Sequence, residues 1–235
     1  MKEPRDYRRF DYPRQLLPNA YLVTLEDDVV SLDQARERTG LTLGYPGWGV
    51  LYYALLSHLD PASFNHIIET GTNRGCSTIV LAQALKDSGC RGIVHTIELD
   101  PKNFAEATCN LERAGLLAFV RARRGDSREE LKALSAGIDV VRVAFLDASH
   151  KYADVLEEFE ILRPMLGADS IVIFDNTYPI ADAGEDPCVH GALHELVRRH
   201  GGNLVNFPYV SWHTPGLAIW QRDGFGWSAQ EAGVA

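Results

Sequence analysis

The sequence predicts an α/β fold: a seven-stranded, mostly parallel sheet with an antiparallel edge and helices on both faces. Three observations predict it. Short apolar runs alternate with helix-patterned stretches along most of the chain, and strands that alternate with helices imply parallel pairing through crossovers. The helical stretches are amphipathic. In the clearest, Tyr152, Val155, Leu156, Phe159 and Leu162 recur at helical spacing, with Glu157, Glu158 and Glu160 assigned to the opposite, solvated side. Finally, the last two apolar runs are joined by a short polar loop, the pattern of an antiparallel strand pair.

The elements follow in order. Residues 1–43, with Pro4, Pro13, Pro18 and the acidic step Glu26-Asp27-Asp28, form an irregular N-terminal extension that packs on the core, caps a site or meets a partner subunit. Residues 44–235 form one domain. Its Gly44-Tyr45-Pro46-Gly47-Trp48-Gly49 segment leads into an apolar helix over Val50–Leu59. Strands are predicted at His66–Thr70, Ile93–Ile97, Phe119–Ala122, Val141–Leu146 and Ser170–Phe174. Between them lie helices at about Ser77–Ser88, Asn103–Ala114, Arg128–Ser135 and Tyr152–Met165. A helix at Val189–Arg199 and strands at Leu204–Phe207 and Leu217–Gln221 close the chain.

Composition narrows the function. The 235 residues carry a formal net charge of -9 and a pI near 5.3. Phosphate neutralisation needs clustered Lys and Arg, and no such run occurs, so no nucleic-acid partner is expected. No apolar run is long enough to span a bilayer, and none follows Arg5, Arg8, Arg9 and Arg14, so neither a membrane segment nor a signal peptide is expected. Cys76, Cys90, Cys109 and Cys188 form no CxxC pair. They read as reduced thiols of a cytoplasmic protein.

In an open α/β sheet, ligands lie beyond the carboxyl ends of the strands. The first strand delivers Glu69-Thr70-Gly71-Thr72-Asn73-Arg74-Gly75-Cys76-Ser77-Thr78. Gly71 and Gly75 allow a tight turn and close approach to a ligand. Ser77 or Thr78 is placed to cap the next helix, whose first amides favour a carboxylate or phosphate. The second strand ends in Glu98, whose two oxygens suit adjacent ribose hydroxyls. The third ends in Gly125-Asp126-Ser127, where Asp126 either accepts from an adenine amino group or caps a helix. The fourth delivers Asp147-Ala148-Ser149-His150-Lys151-Tyr152 and the fifth Asp175-Asn176-Thr177. Neighbouring parallel strands bring Asp147, Asp175 and Asn176 together as hard oxygen ligands for Mg²⁺, Mn²⁺ or Ca²⁺.

An acid before a glycine turn, an acid ending the second strand and Gly-Asp after the third resemble the class I S-adenosylmethionine (SAM)-dependent methyltransferases, whose fold is Rossmann-like. A dehydrogenase fits less well, because Asn73 stands where a GxGxxG turn has its second glycine. The pairing of Leu146-Asp147-Ala148 and Tyr152 with Phe174-Asp175-Asn176-Thr177 is similar to the divalent-metal O-methyltransferases, the group of catechol, caffeoyl-CoA and bacterial sugar O-methyltransferases. The likeness spans roughly Trp48 to Gln221. It implies SAM as cofactor, bound by Glu69, Gly71, Thr72, Asn73, Gly75, Ser77, Glu98, Asp126, Ser127 and Asp147. It also implies a metal held by Asp147, Asp175 and Asn176, and His150 as the general base, with Lys151 the neighbouring candidate. Ser149 replaces an aspartate found in some sugar-modifying relatives, which shifts the base to His150. The resemblance further implies a small-molecule hydroxyl acceptor, with a sugar preferred over a catechol-type phenol, and a homodimer. A non-catalytic SAM-binding scaffold is the alternative from another class. Tyr45 and Trp48, the pair His190 and His194 with Glu195, and Tyr209, Trp212 and His213 are further candidates for the acceptor pocket.

Overall fold

A computed structural model describes residues 18–26, 29, 31–41, 43–44, 47–177, 188–207 and 216–222. Seven strands are ordered β3-β2-β1-β4-β5-β7-β6: β1 Asn65–Thr70, β2 Gly92–Glu98, β3 Val120–Arg124, β4 Val141–Leu146, β5 Leu166–Asp175, β6 Asn203–Phe207 and β7 Leu217–Gln221. The first five pair in parallel, and β7 runs antiparallel to both β5 and β6. The strand order reverses between β1 and β4, so the crevice at their carboxyl ends is where this architecture places a ligand.

Alternate residues of each strand feed two cores. Ile67, Val94, Val143 and Ile171 pack under α3 (Gly47–His58), α4 (Cys76–Ser88) and α5 (Pro101–Arg113). Ile68, Ile97, Ala144 and Val172 pack under α6 (Ser127–Ser135), α7 (Tyr152–Leu162) and α8 (Val189–His200). The predicted strand and helix positions recur within a few residues. The helix predicted to reach Met165 ends at Leu162 and tightens into a 3-10 turn over Arg163–Met165, because Pro164 has no amide to continue the α-helical ladder.

Two expectations are corrected. The first forty residues are not irregular throughout: α1 (Ala20–Glu26) and α2 (Leu32–Thr39) lie among the described ones. Leu22 is buried in the first core, and the Tyr21 hydroxyl donates to Asn110 Oδ1 at 2.7 Å. In α2 Ser31 caps the start, its Oγ accepting from the Gln34 amide, and Gly40 closes the end in the left-handed region. Glu158 is not on the solvated side of α7. It is 1 % exposed and accepts from the Thr70 hydroxyl at 2.9 Å and from the Ser127 hydroxyl. A buried carboxyl persists where such donors meet it. Here it ties the ends of β1, α6 and α7 together, and burial raises its pKa to about 6.

Candidate active site

The first turn is built by two unusual backbones. Gly71 has φ +83°, and a Cβ there would lie 2.1 Å from the Asp147 carbonyl oxygen. Only glycine lets the turn after β1 lie against the turn after β4. Asn73 follows at φ +48°, a conformation asparagine tolerates. Its amide donates to Glu98 Oε2 at 2.7 Å, and its Nδ2 donates to the Gly40 carbonyl at 2.9 Å. Gly40 and Leu41 thereby join the wall of the site.

The capping expected of Ser77 or Thr78 does not occur. The helix starts earlier, at Cys76, with Gly75 as its N-cap and no side-chain cap. Ser77 and Thr78 are therefore inside the first turn and buried. Thr78 donates instead to Glu69 Oε2 at 2.5 Å, and Thr96 donates to the same oxygen at 2.6 Å. Glu69 is fully buried, and burial, opposed by these hydroxyls, raises its pKa to about 7. Thr72 lies beneath the turn as well, its hydroxyl 2.5 Å from that of Thr96. Glu69, Thr72, Gly75 and Ser77 lie outside the cavity lining; their direct contact with a cofactor stays an expectation of the sequence.

Glu98 is 8 % exposed and lines the cavity. Each of its oxygens takes one backbone amide, Asn73 on Oε2 and Asp100 on Oε1, at 2.7 and 2.8 Å. A carboxylate oxygen has two lone pairs, so each retains one for a ligand. Asp126 is the N-cap of α6, and both of its oxygens are held by the Arg128 guanidinium at 2.9–3.1 Å. That hydrogen bonding lowers its pKa to about 2. Arg128 also donates to Asp154 at 2.9 Å, and Asp154 accepts from the Ser149 hydroxyl at 2.7 Å. A polar chain therefore joins the turn after β3 to the loop after β4. Leu41, Leu99, Asn103, Arg128 and Asp154 line the same cavity and were not singled out in the sequence. Arg128 and Asp154 belong to no motif; the Gly40-Leu41 step, with Leu41 at φ +61°, was the signal available.

The second half of the site is electrostatically unsettled. Asp147 and Asp175 end β4 and β5 and converge with His150, one ligand atom from each lying within 4.8 Å of the others. His150 Nε2 is 3.4 Å from Asp147 Oδ1, and the Asn176 amide nitrogen is 2.8 and 2.9 Å from the two ring nitrogens. Asn176, at φ +53°, keeps its amide oxygen for another partner. Burial raises the Asp147 pKa to about 8, with the Glu69, Glu158 and Glu98 carboxylates adding to the rise. Burial and the neighbouring Asp147 push Asp175 well above its ordinary value. Asp175 Oδ1 is buried with no hydrogen-bond partner. Paired carboxylates with an orphaned oxygen fit a divalent cation, which satisfies the oxygen and removes the repulsion.

These groups share one cavity of about 610 Å³, within the range of small-molecule sites. Gly71, Asn73, Glu98, Asp126 and Ser127 line one end, and Asp147, His150, Asp175 and Asn176 the other. Lys151 is outside it: the side chain is exposed at the N-cap of α7, and its backbone bridges to Cys188. Trp48 is core, fully buried, with its Nε1 donating to Glu26 Oε1 at 3.0 Å. His190, His194 and Glu195 are on α8, away from the cavity lining. Tyr45, Tyr209, Trp212 and His213 lie outside the described residues.

The sheet order and the crevice at its reversal are those of a Rossmann-like α/β fold. Residues 68–177 match the family described as a methyltransferase domain, which takes in β1 to β5 and both halves of the site. The chain is 31% identical over 146 residues to a catechol O-methyltransferase of Niastella koreensis, a match covering 60% of this chain and 63% of that protein. The chain thus spans less than two thirds of the length of the curated relatives it matches. Among solved structures, it is similar to the O-methyltransferase TomG of Streptomyces achromogenes in complex with SAM, with a TM-score of 0.68, 22% identity and coverage of 91% and 100% of the two chains. An O-methyltransferase from Bacillus cereus in complex with SAH follows at 0.64, with 22% identity and coverage of 85% and 96%. Among methyltransferases, the chain resembles the catechol- and caffeoyl-CoA-like O-methyltransferases.

Proposed function

We propose that the chain is a SAM-dependent, divalent-cation-assisted O-methyltransferase acting on a hydroxyl of a small molecule. The observation that carries it is the junction in one cavity of a buried acid with free lone pairs, Glu98, and an uncompensated carboxylate pair beside an imidazole, Asp147, Asp175 and His150. Glu98 accepts the ribose hydroxyls. Asp147, Asp175 and Asn176 hold the cation, which when bound supplies charge that lowers the pKa of an acceptor hydroxyl and orients it. His150 would accept the acceptor's proton, leaving the oxygen free to take the methyl group in line as its bond to sulfur breaks and S-adenosylhomocysteine departs.

Two named catechol O-methyltransferases among the relatives favour a catechol-type acceptor; nothing comparable favours a sugar, which the N-terminal extension and the Asp147-Ala148-Ser149-His150 sequence had suggested. A cytoplasmic homodimer completes the proposal on sequence grounds, with none of the four cysteines in a disulfide. No helix among the described residues is long and apolar enough to cross a membrane. The test is incubation with methyl-labelled SAM, Mg²⁺ and matched panels of catechols and saccharides, followed by mass analysis. Label on a hydroxyl is the expected result. Tight SAM binding with no transfer to any acceptor would leave the scaffold alternative standing.

A further inference from the structure

Helix α8 carries a pair of imidazoles that methyl transfer does not use. His190 and His194 are four residues apart, one turn along the same helical face. Val189, Ala192, Leu193 and Leu196 bury the other face in the second core. The two Nε2 atoms are 3.0 Å apart, and the rings meet edge to face at 78° with centroids 4.5 Å apart. Two nitrogens so placed can share one proton, or they can ligate one cation. At about 2.0–2.1 Å from a Zn²⁺-like ion, and at angles of roughly 90–110°, two ligand nitrogens stand roughly 2.9–3.4 Å apart. The observed spacing falls in that window. Glu195, next in the chain, is committed to Arg198 and Arg199 at 2.6 Å. His194 is exposed, so further coordination positions open to solvent.

We infer that His190 and His194 form a two-imidazole clamp for a borderline transition cation of the Zn²⁺, Ni²⁺ or Cu²⁺ class. Imidazole favours such ions, whereas the oxygen-rich set of Asp147 and Asp175 suits Mg²⁺. The clamp is thus a second site of different chemistry, independent of the proposed methyl transfer. It lies just beyond Cys188, the α8 N-cap whose backbone bridges to Lys151 beside His150. A bound ion staples the first two turns of α8 at that junction.

The experiment titrates the untagged full-length protein, saturated with Mg²⁺, with Ni²⁺ by calorimetry, and with Cu²⁺ by electron paramagnetic resonance. Wild type should take one ion that His194→Ala and His190→Ala each bind more weakly by about tenfold or more, because the second imidazole binds intramolecularly. The Cu²⁺ spectrum should show coupling to two imidazole nitrogens and lose it in either variant, while Glu195→Gln behaves as wild type. Both substitutions are on the solvated face, and circular dichroism verifies the fold. Variants that titrate like wild type overturn the clamp. So does a wild type that takes no ion beyond the one at the Asp147 cluster, which would mean that the pair only shares a proton.

Discussion

Glu98 and Asp175 end neighbouring halves of the same sheet and are buried to a similar degree, 8 % and 5 % exposed, yet their surroundings are opposite. Glu98 is cradled by two backbone amides. Asp175 has an orphaned oxygen and a second carboxylate beside it. The half proposed to take the cofactor is satisfied by its own backbone, and a neutral ribose would supply no charge to stabilise a naked acid. In the half proposed to hold a cation the demand for positive charge is unmet, as a fixed partner there would compete with an ion.

That contrast can be broken in steps. The largest effect belongs to the unsatisfied half. Chelation of the divalent ion, or Asp175→Ala with Mg²⁺ present, should reduce turnover by at least about 10⁴, equivalent to several kcal/mol of lost electrostatic assistance. Turnover within tenfold of wild type in a chelated sample would remove the cation from the mechanism. Next, His150→Ala should cost roughly 10²–10⁴ in turnover, the contribution of a positioned base. Cation affinity measured on the same variant sharpens the point, because His150 is close enough to Asp147 and Asp175 to be a ligand. If affinity collapses together with rate, His150 belongs to the cation's shell.

The satisfied half should respond more modestly. Glu98→Ala should weaken SAM binding by roughly 1.5–3 kcal/mol, the scale of charge-assisted hydrogen bonds, and leave cation affinity alone. Calorimetric binding equal to wild type would remove Glu98 from the ribose site. A last effect is on stability. Asp147 is raised from 3.8 to about 8 in the fold, so in chelator the folded state holds a proton that the unfolded state releases. This stabilisation is complete below the unfolded value near 3.8 and is lost as pH rises to about 8. The melting temperature in EDTA should therefore fall across that window, by roughly 2–4 °C per kcal/mol lost. Saturating Mg²⁺ should flatten the slope. An equal slope with and without Mg²⁺ would contradict the cation's place between the two carboxylates.

Much of this was legible in the chain. Apolar runs such as Val141–Leu146 marked strands because both sheet faces are buried, and the residues just after them marked the site because parallel strands deliver their carboxyl ends to one edge. Other features were hidden for physical reasons. The α1 and α2 helices are 7 and 8 residues long and bury few side chains, so periodicity had too little to act on. Glu158 looked like a solvated charge; only the Thr70 and Ser127 hydroxyls, brought from distant segments, make its burial tolerable. Glu69 and Ser77 were legible as turn residues, but a sequence does not show that both are buried beneath the turn. Arg128 gained its role from Asp126 and Asp154 on separate elements.

The contact between Gly71 and the Asp147 carbonyl has a consequence for order of assembly. With no side chain between them, the cofactor turn cannot shift without moving the backbone that carries the first cation carboxylate. Whichever partner arrives first therefore sets the position of the strand end that the other must meet. Any gain in affinity that SAM confers on the cation is matched by an equal gain that the cation confers on SAM. Under the proposed function, a single missing methyl group would thus couple two chemically unlike sites.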